Sequence, residues 1–292
     1  MLTTVEWVER EIRKTTSGTQ EAVDQQALLD AIDDVVGQLE EDTLMNREFI
    51  PRIETRYWDA LPMSEGGQIK GQTLHLADDL ISLTSLVNDG TPVDASDYTL
   101  LPRGDRVIQQ IKLANGALWP YTATTIEGSI AIAGEWGWVE RPSIRWKSTG
   151  DTVQQTITAS GTVVQVADIN GVGWRRDAPR FSPAQLLKID SEFLQVRAVN
   201  AATSPDELTI LRGVNGSTPA IHTATTAIET WNMLALAERY ATRGATLQYR
   251  RRGSTEKKTV RGMTEIVYPS LQTLDEYRGL LKKRRAQVPV MG

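Results

Sequence analysis

The period of the apolar residues changes at Pro51, and that change limits the folds open to this chain. Before it, Val23, Ala27, Leu28, Ala31, Ile32, Val35, Val36 and Leu39 recur at steps of three and four, the spacing of one helix face. After it, Ile53, Thr55 and Tyr57 fall on one face of an extended segment, and proline itself cannot continue a helix. Strand-like runs then follow at Thr73–Leu76, Ile81–Val87, Tyr98–Leu101, Val107–Leu113 and Gly128–Trp136. Asp89-Gly90 and Asn115-Gly116 punctuate them as tight-turn signals. The stretch from Arg47 to Pro102 supplies no nucleophile, base or metal cage.

Helical patterning brackets these strands. Thr3 with Glu6 reads as a capping box, and Leu2 with Trp7 as a hydrophobic staple, opening a short first helix that ends near Ser17-Gly18. The second helix runs from about Thr19 to Leu44, nearly 40 Å at about 1.5 Å per residue. Its single apolar stripe needs a partner that the short first helix is too small to provide. The next helical pattern starts at Met233, with Leu234, Ala237, Tyr240, Ala241 and Leu247, and Arg250-Arg251-Arg252 in its last turn suit the helix dipole. A final stripe, Leu271, Leu274, Tyr277, Leu280 and Leu281, ends in Lys282-Lys283-Arg284-Arg285.

Residues 148–230 differ in character. Short strands at Val153–Ala159, Gly161–Val166, Gln185–Ile189, Glu192–Val199, Glu207–Leu211 and Thr225–Trp231 predict a small barrel or sandwich with its own core.

Composition removes several classes of function. The chain has 292 residues, room for two domains, and no cysteine, which excludes disulfides and thiolate metal sites. His75 and His222, the only histidines, stand in separate regions and read as ordinary strand or turn residues. No apolar run approaches the roughly 18 residues of a membrane span. The N-terminus lacks the basic start and apolar stretch of a signal peptide, so synthesis in the cytoplasm of the producing cell is expected. The net charge of −5 conceals a polarity: residues 1–50 are strongly acidic, and residues from Arg239 onward strongly basic. Such asymmetry suits head-to-tail contacts between subunits or an acidic partner, and equally two solvated helix faces of opposite sign.

The remaining motifs argue against catalysis. Asp33-Asp34 and Glu40-Glu41-Asp42 sit on a helix, where neighbours point about 100° apart and cannot converge on one substrate. Asp78-Asp79 sits at a strand entry with no opposing carboxylate placed by sequence, so these acids read as solvated faces or caps. Gly134-Glu135-Trp136-Gly137-Trp138 lacks the lysine, hydroxyl and helix of a phosphate-binding loop. Trp119, Trp136, Trp138 and Trp146 read as core or interface packing, with sugar or base stacking as the other use of such rings.

Asn46-Arg47-Glu48-Phe49-Ile50-Pro51, Glu54-Thr55-Arg56-Tyr57-Trp58-Asp59-Ala60, Leu74–Leu86, Asn88-Asp89-Gly90 and Ser96–Pro102 occur in an order that resembles the head–tail connector (adaptor) proteins of long-tailed bacteriophages. The stretch Phe181-Ser182-Pro183 … Ile189-Asp190-Ser191-Glu192, followed by Leu211–Thr218, is similar to a β-module inserted in many phage structural proteins. The resemblance implies an α+β fold: a helical-bundle core with a projecting β-hairpin region and an inserted all-β domain, barrel or sandwich-like. Residues 1–147 and 231–253 would form the connector core, 148–230 the inserted domain, and 254–292 an arm and helix for portal docking. Positions matching the family pattern are Arg47, Phe49, Pro51, Thr55, Arg56, Tyr57, Asp59, Asp79, Leu80, Asp97 and Tyr98. Among them Arg47, Phe49, Pro51, Arg56, Tyr57, Asp59, Asp79 and Tyr98 would hold the fold or contact neighbouring subunits. Leu271, Leu274, Tyr277, Leu280, Leu281, Lys282, Lys283, Arg284 and Arg285 would bind the portal. The implied function is that of a non-enzymatic virion protein, forming a dodecameric ring beneath the portal, joining capsid to tail and continuing the DNA channel. Its partners would be the portal, a tail-side stopper or tail terminator, its own copies and, without sequence choice, the double-stranded DNA in the channel. No catalytic residue, metal, cofactor or membrane is implied. Two other functions fit parts of the chain: a carbohydrate-binding or tail-tip module using the tryptophans and the β-module, and a DNA-binding accessory protein using the basic tail.

Overall fold

The computed structural model describes residues 3–15, 23–41, 47–119 and 126–253. The last apolar stripe and its basic end, Leu271 to Arg285, lie outside the described residues, as does Leu2 of the staple. Two compact units emerge. One is Arg47–Arg145 with Asn215–Ser217, and the other holds the described residues of Met1–Asn46, Trp146–Val214 and Thr218–Gly292. The helices therefore share a unit with the second set of strands, whereas the linear division groups them with the first.

The Arg47–Arg145 unit is a seven-stranded antiparallel sheet. Its strands are β1 (Arg52–Trp58), β2 (Ile69–Lys70), β3 (Thr73–Asn88), β4 (Thr91–Pro92), β5 (Tyr98–Leu101), β6 (Ile108–Leu113) and β7 (Ile130–Trp136). The order is β1-β7-β3-β6-β5, with β2 and β4 pairing to β3. Leu74, Leu80, Ile111, Ile130, Ile132 and Trp136 are fully buried at its centre. Sequence periodicity divides β3 into two strands, but it is one strand of 16 residues whose register with its neighbours shifts between His75 and Leu80, Leu80 and Ser82, and Leu83 and Ser85. The two shifts against β7 each add one residue and the shift against β6 adds three, so the alternation is interrupted and a continuous strand reads as two short ones. Asp89 and Gly90 both have positive φ (50° and 75°), the pairing that a tight hairpin turn of matching twist requires.

In the second unit, α1 (Val5–Thr15), α2 (Gln25–Glu41) and α3 (Ala235–Gly253) pack together. Leu28, Ile32, Val35 and Leu39 of α2 are buried, and α3 is the distant partner its stripe demands. A Cβ built on Gly244 of α3 would stand 2.6 Å from Val35 Cγ1, so only glycine permits this approach of the two helices. Thr3 does not cap α1. Its buried hydroxyl pairs with that of Thr242 at 2.8 Å, and Thr4 Oγ1 accepts from Trp7 N instead.

Six antiparallel strands complete this unit: β8 (Trp146–Thr152), β9 (Val163–Val166), β10 (Leu186–Ile189), β11 (Glu192–Asn200), β12 (Asp206–Leu211) and β13 (Ala227–Trp231), in the order β8-β13-β10-β11-β12-β9. The segment after β8 joins the sheet's two ends, with Val153 N bonding Thr226 O and Gln154 N bonding Gln165 O. Phe181, Leu187, Ile189, Leu194, Val196, Leu208 and Ile228 fill the interior.

The expected fold class is corrected. The described chain is mostly β, built on two large antiparallel sheets with three helices, and a helical bundle is not its core. The physical reason is where apolar volume is buried. Each sheet encloses its own cluster of large side chains, while the helices contribute mainly the narrow α2 stripe and the alanines of α3.

Candidate functional site

Three of the residues carried over from the resemblance, Arg47, Phe49 and Asp79, meet in one cluster of the Arg47–Arg145 unit. Arg47 Nε lies 3.1 Å from Asp79 Oδ2, with the Asp79 side chain only 8% exposed, and its guanidinium sits 5.2 Å over the Trp138 ring. Phe49 meets the same indole edge-on at 5.9 Å. Asp79 Oδ1 also accepts from Gln109 Nε2 at 3.1 Å, and its main-chain oxygen accepts from Gly137 N. Asp79 is thus a buried partner of an arginine, not a solvated acid as its pairing with Asp78 implies.

Arg56 occupies a second knot close by in sequence. It meets Glu48 at 2.6 Å, Glu54 at 2.5 Å and Asp78 at 2.8 Å, and stacks 4.7 Å over Trp136. Burial alone would lower its pKa, but the three carboxylates raise it instead. Trp136 stacks on Trp58 at 5.3 Å and donates Nε1–H to Glu54 O. The two knots are cross-linked through Glu48, whose carbonyl accepts from Trp138 N at 2.6 Å. Cations over indoles with bidentate or multiple carboxylate contacts hold a sheet end in one geometry.

The other carried-over positions are dispersed. Pro51 is buried just before β1, Asp59 Oδ1 accepts from Gly128 N at 2.8 Å, and Tyr98 lies partly buried against the sheet core. Tyr57, on the edge strand β1, is 66% exposed. Trp119, Trp136 and Trp146 are buried, Trp119 donating to Gln72 O and Trp146 packing on Phe193 and Trp231, so none of these three presents an open stacking face.

The second unit contains a denser ionic centre that sequence reading passed over. Glu192, fully buried at the start of β11, receives both arms of Arg212 at 2.6 Å, Gly213 N at 3.0 Å, Ala220 N at 2.9 Å and His222 Nε2 at 2.9 Å. His222, also fully buried, contacts Asp190 Oδ2 through Nδ1 at 2.8 Å. Arg212 donates further to the carbonyls of Thr158, Gly161 and Ala220. Burial pushes the Glu192 carboxyl up, but Arg212, the two backbone N–H groups and His222 outweigh it and bring its pKa down to about 2. The lone pairs of this carboxylate are taken up by donors. The arrangement therefore ties the β10–β11 turn, the end of β12 and the 220–222 segment together, and it offers no open face to a substrate. The signal available in sequence was a glutamate and an arginine beside turns in otherwise apolar strands, with a histidine downstream.

Among the described residues no group of His, Asp and Glu is placed to hold a metal ion, and no helix is long and apolar enough to cross a membrane. Comparison with protein-family models, with curated proteins and with solved structures finds no match to this chain.

Proposed function

We propose that this protein is a structural component of a bacteriophage virion, a head–tail connector that assembles as a ring beneath the portal. The observation that carries the reading is the convergence of Arg47, Phe49 and Asp79 on Trp138, with Arg56 on the adjoining Trp136. These are residues to which the resemblance assigns a fold-holding role, and they are spread over 33 positions of sequence. The chemistry of both ionic centres agrees with it: arginines and carboxylates are spent on one another and on backbone groups, as suits a part that must stay rigid under load. Exposed Tyr57 on an edge strand is a natural point of contact with a neighbouring subunit. Portal, tail-side protein and channel DNA are the partners of this reading.

The test is assembly with the portal protein of the same phage, read by native mass spectrometry and negative-stain microscopy. A closed ring of many connector copies on one portal ring is the expected result. A strictly one-to-one complex, or none at physiological salt, overturns the proposal.

A further inference from the structure

In the helix-bearing unit the ring of His222 is held between two carboxylates. Its Nδ1 stands 2.8 Å from Asp190 Oδ2, and its Nε2 stands 2.9 Å from Glu192 Oε2. The main chain fixes the residue from behind, with His222 N bonding Ile157 O and Ile157 N bonding His222 O. The ring is fully buried, and Glu192 is anchored by both arms of Arg212 and by the N–H groups of Gly213 and Ala220.

A carboxylate only accepts hydrogen bonds, so each ring nitrogen that faces one must donate. A neutral imidazole has a single N–H. Whichever nitrogen lacked the proton would set its lone pair against a carboxylate oxygen at 2.8 or 2.9 Å. Glu192 does not supply the missing proton: burial raises its pKa, but Arg212, the backbone donors and His222 bring it down to about 2. Asp190 is 60% exposed, a carboxylate in contact with water at neutral pH. Charge counting agrees. Asp190 faces the ring from the β10–β11 turn, Glu192 from β11 and Arg212, through that carboxylate, from the end of β12. Two carboxylates against one guanidinium leave one negative charge over. The 153–162 segment that pairs with the His222 main chain and the 216–224 segment that carries it hold no other ionisable side chain. An imidazolium brings the centre to zero.

We propose that His222 carries a proton on both ring nitrogens and acts as a pH-sensitive latch, fastening the β10–β11 turn to the 220–222 segment at neutral pH and releasing it as pH rises. When the ring gives up a proton to solvent it keeps Nε2–H for Glu192, whose buried charge cannot reach water. The contact with Asp190 is the one lost, because that exposed side chain can swing outward. Asp190 has φ 53°, so the latch also holds a left-handed backbone position that L-residues rarely adopt. The sign follows from the charged ring being the form that binds: the contact is present at lower pH and is lost as pH rises. The latch does not depend on the connector assignment.

The experiment is an NMR pH titration of the isotope-labelled full chain, reading the ring nitrogens of His222 and the side-chain carbons of Asp190. At about pH 7.5 free imidazole is about one-tenth doubly protonated, whereas most of the His222 population should be. As pH rises further, the Asp190 Cβ and Cγ signals should move together with loss of the second ring proton. Asp190→Asn, whose amide can turn to donate to a bare Nδ1, should leave the circular dichroism spectrum unchanged and lower the doubly protonated share severalfold at that pH. A His222 ring no more protonated than free imidazole overturns the proposal. So do Asp190 signals that fail to follow the ring, or a folded Asp190→Asn variant whose ring titrates as in the wild type.

Discussion

Removing the guanidinium of Arg212 tests whether the buried ionic centre holds the helix-bearing unit together. Arg212→Met keeps most of the stem volume and leaves Glu192, at 0% exposure, with His222 and two backbone N–H groups but no permanent cation. A carboxyl held at about 2, where an unperturbed glutamate titrates near 4.5, favours the charged form by about 3 kcal/mol. Breaking a buried pair by removing one partner costs about 3–5 kcal/mol, which agrees with that figure. The assay is urea unfolding followed by the fluorescence of Trp146 and Trp231, which pack on each other in this unit at 5.0 Å. The sign of the pH dependence follows from the depressed pKa. The Glu192 contribution is fully present above about pH 4.5 and is lost as pH falls through that value toward 2. Wild-type protein should lose stability across that interval, and Arg212→Met should lose much less. The double variant Glu192→Leu with Arg212→Met should be more stable than Arg212→Met alone, because it no longer buries an unpaired charge. A cost below about 1 kcal/mol for Arg212→Met, or a double variant no better than the single, would refute the reasoning.

Three further outcomes are expected. Gly244→Ala should lower the thermal midpoint of the helical circular dichroism signal despite alanine's better helix propensity, because the new methyl meets Val35 Cγ1 at 2.6 Å and overpacking costs about 1–3 kcal/mol against about 1 gained. Gly134→Ala should disrupt the β3–β7 pairing, since its Cβ would fall 2.3 Å from Ser82 O; faster amide exchange across Leu80–Asn88 is the readout, and unchanged protection would count against it. Arg47→Ala should destabilise the seven-stranded sheet by about 3 kcal/mol in chemical unfolding through the stranded Asp79 charge, and adding Asp79→Asn should recover part of that loss.

Short-range physics was legible without coordinates. The apolar stripe of α2, the need for a distant helical partner, the Asp89-Gly90 turn and most strands of the second sheet depend on residues within a few positions of one another. Those interactions leave a period or a turn signature in the chain. The β3 strand was misread for a tertiary reason: its bulges are set by pairing with β6 and β7, and the alternation they interrupt carries no mark of the partner. Thr3 was misassigned because its hydroxyl answers to Thr242, 239 residues away, and not to the helix it precedes. The ionic centre was missed for the same reason. Asp190, Glu192, Arg212 and His222 each look like a turn or strand-end residue in sequence. Only the closure of β10, β11, β12 and the 220–222 segment takes Glu192, Arg212 and His222 out of water together, with Asp190 left exposed at the edge, and a charge removed from water must be met by another charge or by backbone donors. Periodicity shows which residues avoid water; which of the others are forced to leave it with them is decided by the fold.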